Sequence, residues 1–600
     1  MPFPALSKLL CERKNILPTV YFENRKLKVQ AEQGETLLSC IRRSGLRVES
    51  TCDGQGICGK CRVIAHGEMS PPDDAELALL AGRSADIRLA CKAKVFGDVH
   101  ATIDDTWTQL QTAFGPALRE VAVDSPIRRV CLNENGPGTC PYAETIPFRI
   151  SDPRVLAKIP GWVGNKKEAF GIVLGGELLD ICFDRQPMLG AAVDIGTTSL
   201  SLSLFDLESG EFLGGSSALN PQTAYGGDVI TRIDYCRENP EGVSVLRTAL
   251  IGQLGSMLDT ALGGGRSRDQ VHLMTAAGNT TMLHILAGVS PVSIALAPFR
   301  PTFLKPIILE GERSGLPIAP QGRFILLPGT SGYVGADIVA GLTAIDYRSC
   351  TGYTLFIDIG TNGEIVLIEG PDRLLGTSCA MGPALEGMNI SCGCRAVPGA
   401  VNSVTLGEDM LPRFTTIGDL PPIGICGSGL VDLVAALVIS GVIELSGAFN
   451  SKAGKHLTEQ LHENRYHLTD NVFLSQKDIR QVQLAKSAAL AGILTLLKEA
   501  GHSVADLDQI IVAGSFGYHL NPQTLKYIGL LPADYTGKLN FVGNSSLSGA
   551  SLALLNRDVL KEMEHLASMI RVLELGSNPV FSREFISQMG FPTTVFCDPS

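Results

Sequence analysis

The sequence predicts a multidomain α/β chain. It comprises a small cysteine-bearing sheet domain (1–103), a linker (104–126), a small middle domain (127–188) and a large duplicated domain (halves 189–350 and 351–600). Three observations carry this reading. Four cysteines follow the spacing Cys52-x5-Cys58-x2-Cys61-x29-Cys91 within strand-like sequence. An apolar run ending in Asp-Ile-Gly-Thr occurs twice, with Asp194 and Asp358 164 residues apart. Apolar residues make up 45% of the chain and charged residues 18%, which suits large cores and excludes a disordered chain.

Composition narrows the class further. At about 150 residues per domain, 600 residues suit three or four domains. A net charge of -11 with no basic patch argues against a nucleic-acid binder. The opening "MPFPALSKLLCERKN" has no secretory apolar region, so a cytoplasmic chain is expected, its 16 cysteines reduced or ligating metal. The apolar stretch 424–445 is interrupted by Asp432 and glycines; a buried helix is expected there and no membrane span.

In the first domain, residues 19–48 alternate as two strands, turn at Gly34 and enter a helix near Glu35–Thr36. The cysteine loop "TCDGQGICGKC" follows, then a short strand at 61–65, Cys91, and a closing strand at 98–103. Together these resemble a β-grasp ferredoxin. Four thiolates suit zinc or a [2Fe–2S] cluster, but structural zinc commonly uses two short knuckles, and Cys91 stands alone. Gly54, Gly56 and Gly59 let the loop close tightly and aim N–H groups at cluster sulfurs, so iron–sulfur is expected. The same glycines spell G-x-G-x-x-G. That fingerprint requires a helix N-terminus next, and a strand is expected instead, so a dinucleotide site is rejected.

The linker loses periodicity, and the middle domain offers strand-like runs at "AFGIVLGG" and "LLDICF". Cys131 and Cys140 there read as ordinary packing thiols or a pair of ligands.

The duplicated domain follows. Asp194 and Asp358 each end an apolar strand, where burial costs several kcal/mol unless a cation or donors meet the carboxylate. The Gly-Thr after each makes a tight hairpin whose N–H and hydroxyl groups can hold phosphate oxygens. "LMTAAGNTTM" pairs with "IIVAGSFGYHLNP", and "LPGTSGYVGADIVAGL" with "IGICGSGLVDLVAAL". At these loops the chain resembles the actin-like superfamily of sugar kinases, acetate kinase and heat-shock ATPases. The resemblance implies two domains closing over ATP. Asp194, Gly196, Thr197 and Thr198 would form phosphate-1, Asp358, Gly360, Thr361, Asn362, Gly363 and Glu364 phosphate-2, and Gly514, Ser515 and Gly517 the adenosine loop. Gly427 and Ser428 join the expected nucleotide set. Two aspartates facing one cleft suit Mg²⁺ held through waters. Glu364 is a candidate to orient the attacking water, with a solvated strand carboxylate as the alternative. No P-loop motif occurs.

A cysteine domain joined to an ATP clamp, together with "GPALEGMNISCGCRAVPGAV", "GICGSGL" and "GNTTM", resembles the reductive activators of corrinoid proteins. The resemblance implies ATP-dependent one-electron reduction of a Co(II) corrinoid to Co(I). It also implies a low-potential donor such as ferredoxin or flavodoxin, and possible homodimers. Plant-type clusters sit near about -400 mV and Co(I) is a stronger reductant, with each 100 mV of uphill transfer costing about 2.3 kcal/mol. The chain has no D-x-H-x-x-G corrinoid-carrier signature, and the last 150 residues contain only Cys597, so no second cluster is expected.

Rivals include a small-molecule kinase of the same fold, which needs a base such as Asp337 or Asp432. An ATP-driven non-redox reactivase or chaperone has no use for a cluster, and an activator of 2-hydroxyacyl-CoA dehydratases would carry its cluster in the ATPase body. The loop 387–399, rich in glycine and small polar residues, is expected to be flexible. Gly382, Gly387 and this loop either complete the nucleotide pocket or offer Ser391, Cys392 or Cys394 to a corrinoid face.

Overall fold

The computed structural model describes residues 17–44, 46, 48, 56, 61–80, 84, 86–103, 119–132, 141–165, 168–407, 409, 411–450, 460–514 and 521–593. The chain divides into two compact units, Met1–Trp107 with Thr223–Gly227, and Thr108–Gln222 with Asp228–Ser600.

The first unit carries a five-stranded sheet, ordered Leu27–Gln30, Thr19–Phe22, Val95–Thr102, Arg62–Met69, Ile87–Leu89. Thr19–Phe22 pairs antiparallel with Leu27–Gln30 and parallel with the strand Val95–Thr102. The helix Leu37–Arg43 begins as expected: Gly34 takes φ 82°, and the Thr36 hydroxyl accepts the Ser39 amide at 3.2 Å. Val20, Phe22, Leu37, Ile41, Leu89 and Val99 fill the core with no exposed surface. Each such side chain contributes about 1.5–3 kcal/mol on burial.

Within the second unit, Ile127–Leu132, Ala169–Leu174 and Glu177–Cys182 make a three-stranded antiparallel sheet beside the helix Pro153–Asn165. Cys131 is exposed on it; Cys140 lies outside the described residues.

The duplication is explicit in two six-stranded sheets. One runs Phe212–Leu219, Ser199–Asp206, Leu189–Ile195, Val271–Gly278, Arg323–Leu326, Ile307–Glu310. The other runs Arg373–Cys379, Gly363–Gly370, Tyr353–Ile359, Leu507–Ala513, Lys538–Gly543, with Ile570–Val572 beyond Arg373–Cys379. Their first five strands correspond in order and sense: two antiparallel hairpins, then two parallel neighbours. The extra sixth strands occupy opposite edges.

The halves exchange one element. Helix Ser545–Leu555 follows the second sheet in sequence yet packs on Leu189–Ile195, Val271–Gly278 and the helix Ala336–Ala344. Glycines allow that crossing: a Cβ on Gly549 would sit 2.0 Å from the Ala340 carbonyl oxygen, and one on Gly341 2.8 Å from Ser545 Oγ. The stretch 424–445 becomes the strand Gly424–Ile425 and the buried helix Gly427–Ile439. Among the described residues no helix is long and apolar enough to cross a membrane.

Candidate functional site

Each Asp-Ile-Gly-Thr motif closes a hairpin between the first two strands of its half. Beside each hairpin a parallel strand ends in glycine because nothing larger fits. A Cβ on Gly278 would lie 2.8 Å from the Ile195 carbonyl oxygen; one on Gly514 would lie 2.6 Å from that of Ile359. The two hairpins face one cavity of about 640 Å³, open to solvent, lined by Asp194, Gly196, Thr197, Thr198, Asp358, Gly360, Thr361, Asn362, Glu364 and Gly514. Across it, Thr198 Oγ1 and Thr361 Oγ1 stand 3.3 Å apart.

The cavity also gathers residues that sequence reasoning left out. Asn544 Nδ2 donates to Asp194 Oδ2 at 2.9 Å, and Ser546 Oγ donates to Oδ1 at 3.0 Å. Asn544 caps the helix Ser545–Leu555 through the Leu547 amide, as Asn279 caps Thr280–Ala287 through Met282 while donating to Thr197 Oγ1 at 3.0 Å. The signal was a second repeat, "GNTT" at 278–281 and "GNSS" at 543–546. Glu386 lines the cavity too. So does Asp337, in the first turn of its helix, which meets one requirement the kinase reading set; Asp432 does not line it, and accepts from Thr524 Oγ1 at 3.3 Å.

Electrostatics there are one-sided. Five carboxyls, Asp194, Asp337, Asp358, Glu364 and Glu386, line the cavity, and none of its described lining residues is Lys, Arg or His. Burial raises the Asp194 carboxyl above the usual range, against hydrogen bonds from Asn544 and Ser546. Burial and then neighbouring aspartates push Asp337 to about 7 and Asp358 to about 8. Glu364 is 8% exposed, not a solvated carboxylate; burial first, then Asp337 and Asp358, raises it well above the ordinary value. Behind the first hairpin, fully buried Arg232 donates to the Thr197 carbonyl and to Gln222 Oε1, fixing that hairpin from the rear.

A cation entering this lining would favour the ionised form of these carboxyls, which burial and mutual repulsion disfavour. Among the described residues no three His, Cys, Asp or Glu side chains converge as metal ligands.

Several expected nucleotide residues fall elsewhere. Gly363, Gly382, Gly387, Gly427 and Ser428 do not line the cavity, and Ser428 Oγ donates to the Asn402 carbonyl at 2.7 Å. Ser515 and Gly517 lie outside the described residues. The loop 387–399, expected to be flexible, is packed. Cys392 and Cys394 are 8% and 6% exposed, and their backbones pair with Ile425 at 2.8 and 2.9 Å. Exposed Ser391 donates its amide (2.8 Å) and hydroxyl (3.0 Å) to buried Asp478. Removing that hydroxyl in Ser391→Ala is expected to cost about 1 kcal/mol of stability and leave nucleotide affinity unchanged. Denaturant midpoints and a nucleotide titration check both; a parallel fall in affinity would tie this loop to the cavity.

In the cysteine domain, Cys61 precedes the strand Arg62–Met69 and Cys91 follows its neighbour Ile87–Leu89. Their Sγ atoms converge to 3.2 Å, and the Cys91 amide points at Cys61 Sγ at 3.5 Å. Gly56 is buried at φ 74°, where a Cβ would meet Lys92 Cε at 2.4 Å. Thiols converging in this way fit an iron–sulfur cluster. Cys52 and Cys58 lie outside the described residues.

Comparison with known proteins follows this division. Residues 20–96 match the 2Fe-2S iron-sulfur cluster binding domain, 189–349 the RACo middle region, and 352–598 the C-terminal ASKHA domain of RACo. The chain is 31% identical to the corrinoid activation enzyme RamQ of Eubacterium limosum, over 94% of this chain and 97% of the relative. It is 24% identical to a [Co(II) methylated amine-specific corrinoid protein] reductase of Methanosarcina barkeri, over 68% of this chain and 77% of the relative. The solved structure of a reductive activator for corrinoid, iron-sulfur protein superposes with a TM-score of 0.72 at 30% identity, covering 96% of this chain and 98% of that one.

Proposed function

The chain belongs to the family of reductive activators of corrinoid proteins, and from that premise we propose how its two chemical sites divide the work. The protein is an oxidoreductase that returns a corrinoid protein from Co(II) to Co(I) by one electron. When bound, the [2Fe–2S] cluster supplies that electron and is itself oxidised by one; a low-potential ferredoxin or flavodoxin restores it. Cys61 and Cys91, with Cys52 and Cys58, would hold the irons. The paired hairpins hold the phosphates of ATP, and Asp194 and Asp358 orient Mg²⁺ through its waters. Glu364, buried and accepting from Ser378 Oγ at 3.2 Å, would orient the attacking water.

The observation that carries this reading is the pairing, in one chain, of converging cysteines with an acidic cavity lined by both hairpins. Reduction to Co(I) is uphill from such a cluster, and hydrolysis can offset it by changing the affinity for the partner between nucleotide states. The test mixes reduced protein with a candidate Co(II) corrinoid protein, with and without Mg-ATP, and follows the Co(I) absorption band. Reduction that needs ATP is the expected result. Equal yields without nucleotide would remove ATP from the scheme, and a phosphorylated small molecule as product would favour the kinase.

A further inference from the structure

The turn Pro383–Glu386 is built to deliver one carboxylate. The glycines on either side, Gly382 and Gly387, take φ of 73° and 75°, and a Cβ on Gly387 would lie 2.2 Å from the Cys394 carbonyl oxygen. Amides of Gly387 and Met388 close the turn on the Ala384 and Pro383 carbonyls at 2.9 and 3.1 Å. From this fixed backbone Glu386 enters the cavity. Its Oε1 accepts from Thr361 Oγ1 at 2.9 Å, while its Oε2 is buried with no hydrogen-bond partner among the described residues.

Proton counting gives the arrangement a direction. A threonine hydroxyl has one proton to donate. Thr361 gives its proton to Glu386, so toward Thr198, 3.3 Å away, it can only accept. The relay across the cleft therefore runs Thr198 to Thr361 to Glu386. The hydroxyl protons of Thr198 and Thr361, two of those that the hairpins could offer to phosphate, are turned along this relay, toward a carboxylate.

Resting on the reading that this cavity takes ATP, we propose that Glu386 is a positioning residue that holds both hydroxyls in an orientation that refuses phosphate. Binding of a nucleoside triphosphate with its divalent cation then requires both protons to turn from the relay to phosphoryl oxygens. Glu386 opposes loading of the empty site and is released once the site fills.

The test uses the full-length protein, titrated with a fluorescent Mg-ATP analogue and followed by steady-state ATP hydrolysis. Glu386→Gln keeps the shape and an acceptor oxygen but loses the charge, and a charge-assisted hydrogen bond is roughly twice as strong as a neutral one. Its Kd for Mg-nucleotide is expected to fall about tenfold, and KM with it, while kcat does not rise. Thr361→Val should weaken binding. In the Thr361→Val background Glu386→Gln should bring no further gain, because the hydroxyl it frees is gone. An unchanged or weaker Kd in Glu386→Gln overturns the proposal. So does a tenfold gain that persists without Thr361, since that is through-space repulsion alone. Should Glu386→Gln fail to fold, Glu386→Asp withdraws the carboxylate by one methylene and should tighten binding likewise. Failure of the wild-type protein to bind Mg-ATP would instead sink the ATP reading, and this proposal with it.

Discussion

Asp358→Asn is expected to abolish ATP turnover, by a factor on the order of 10³, the scale of losing one group aimed at transition-state charge. The site explains why the loss should be confined to chemistry. Burial and the neighbouring carboxyls push Asp358 to about 8, so in the empty cavity at neutral pH the folded protein already holds it largely as a neutral acid. Asparagine copies that neutral form in size and charge, and the fold should not weaken. What asparagine cannot do is become the anion that a cation demands. Phosphate-release assays should therefore show the loss while the melting temperature and the visible spectrum of the cluster stay as in the parent protein. Parental turnover in this variant would refute the role of Asp358.

Cys61→Ala is expected to have the complementary effect: loss of the cluster and of all corrinoid reduction, with ATP hydrolysis retained. Cys61 is 1% exposed and its Sγ lies 3.2 Å from that of Cys91, so its removal takes a thiolate from the middle of the ligand set and leaves no neutral replacement of equal donor strength. Iron and sulfide analysis of anaerobically purified protein should give two of each per parent chain and little in the variant. One equivalent of zinc and no visible absorption in the parent protein would reject the iron–sulfur assignment.

How far the sequence carries depends on how local each feature is. The hairpins at Asp194 and Asp358 are local objects: an apolar strand, Asp-Ile-Gly-Thr and a second strand lie within about 16 residues, and their repetition exposes the duplication. The Thr36-capped helix and the strands around the cysteines are local in the same sense. Asn544 and Ser546 are not. They reach Asp194 from some 350 positions away, through a helix that packs on the opposite half from the one its sequence position suggests. Asp337 is legible as a lone carboxylate in apolar sequence, and the start of a buried helix is where such a group finds amide donors. Glu386 lies between Gly382 and Gly387, and in sequence those glycines point to the nucleotide pocket more plainly than the carboxylate beside them does. The loop 387–399 misled in the opposite direction: Gly387 and Gly393 there serve close packing of backbone on backbone, not mobility.

The glycine crossing of Ala336–Ala344 with Ser545–Leu555 has a mechanical consequence. Where two helices meet through interlocking side chains, rotating one against the other means lifting knobs out of holes, and a close-packed interior resists that. Gly549 brings no knob: its backbone lies on that of Ala340, while Gly341 makes room for Ser545 Oγ and the Phe356 ring. Turning about that point breaks little packing, so it is a low-friction pivot, and the flanking elements act as lever arms. One arm begins at Asp337, the other at Asn544 and Ser546, so both arms carry cavity residues at their inner ends. A shift of a fraction of an ångström at the phosphates is therefore applied beside the fulcrum, and the outer ends of the two sheets travel farthest.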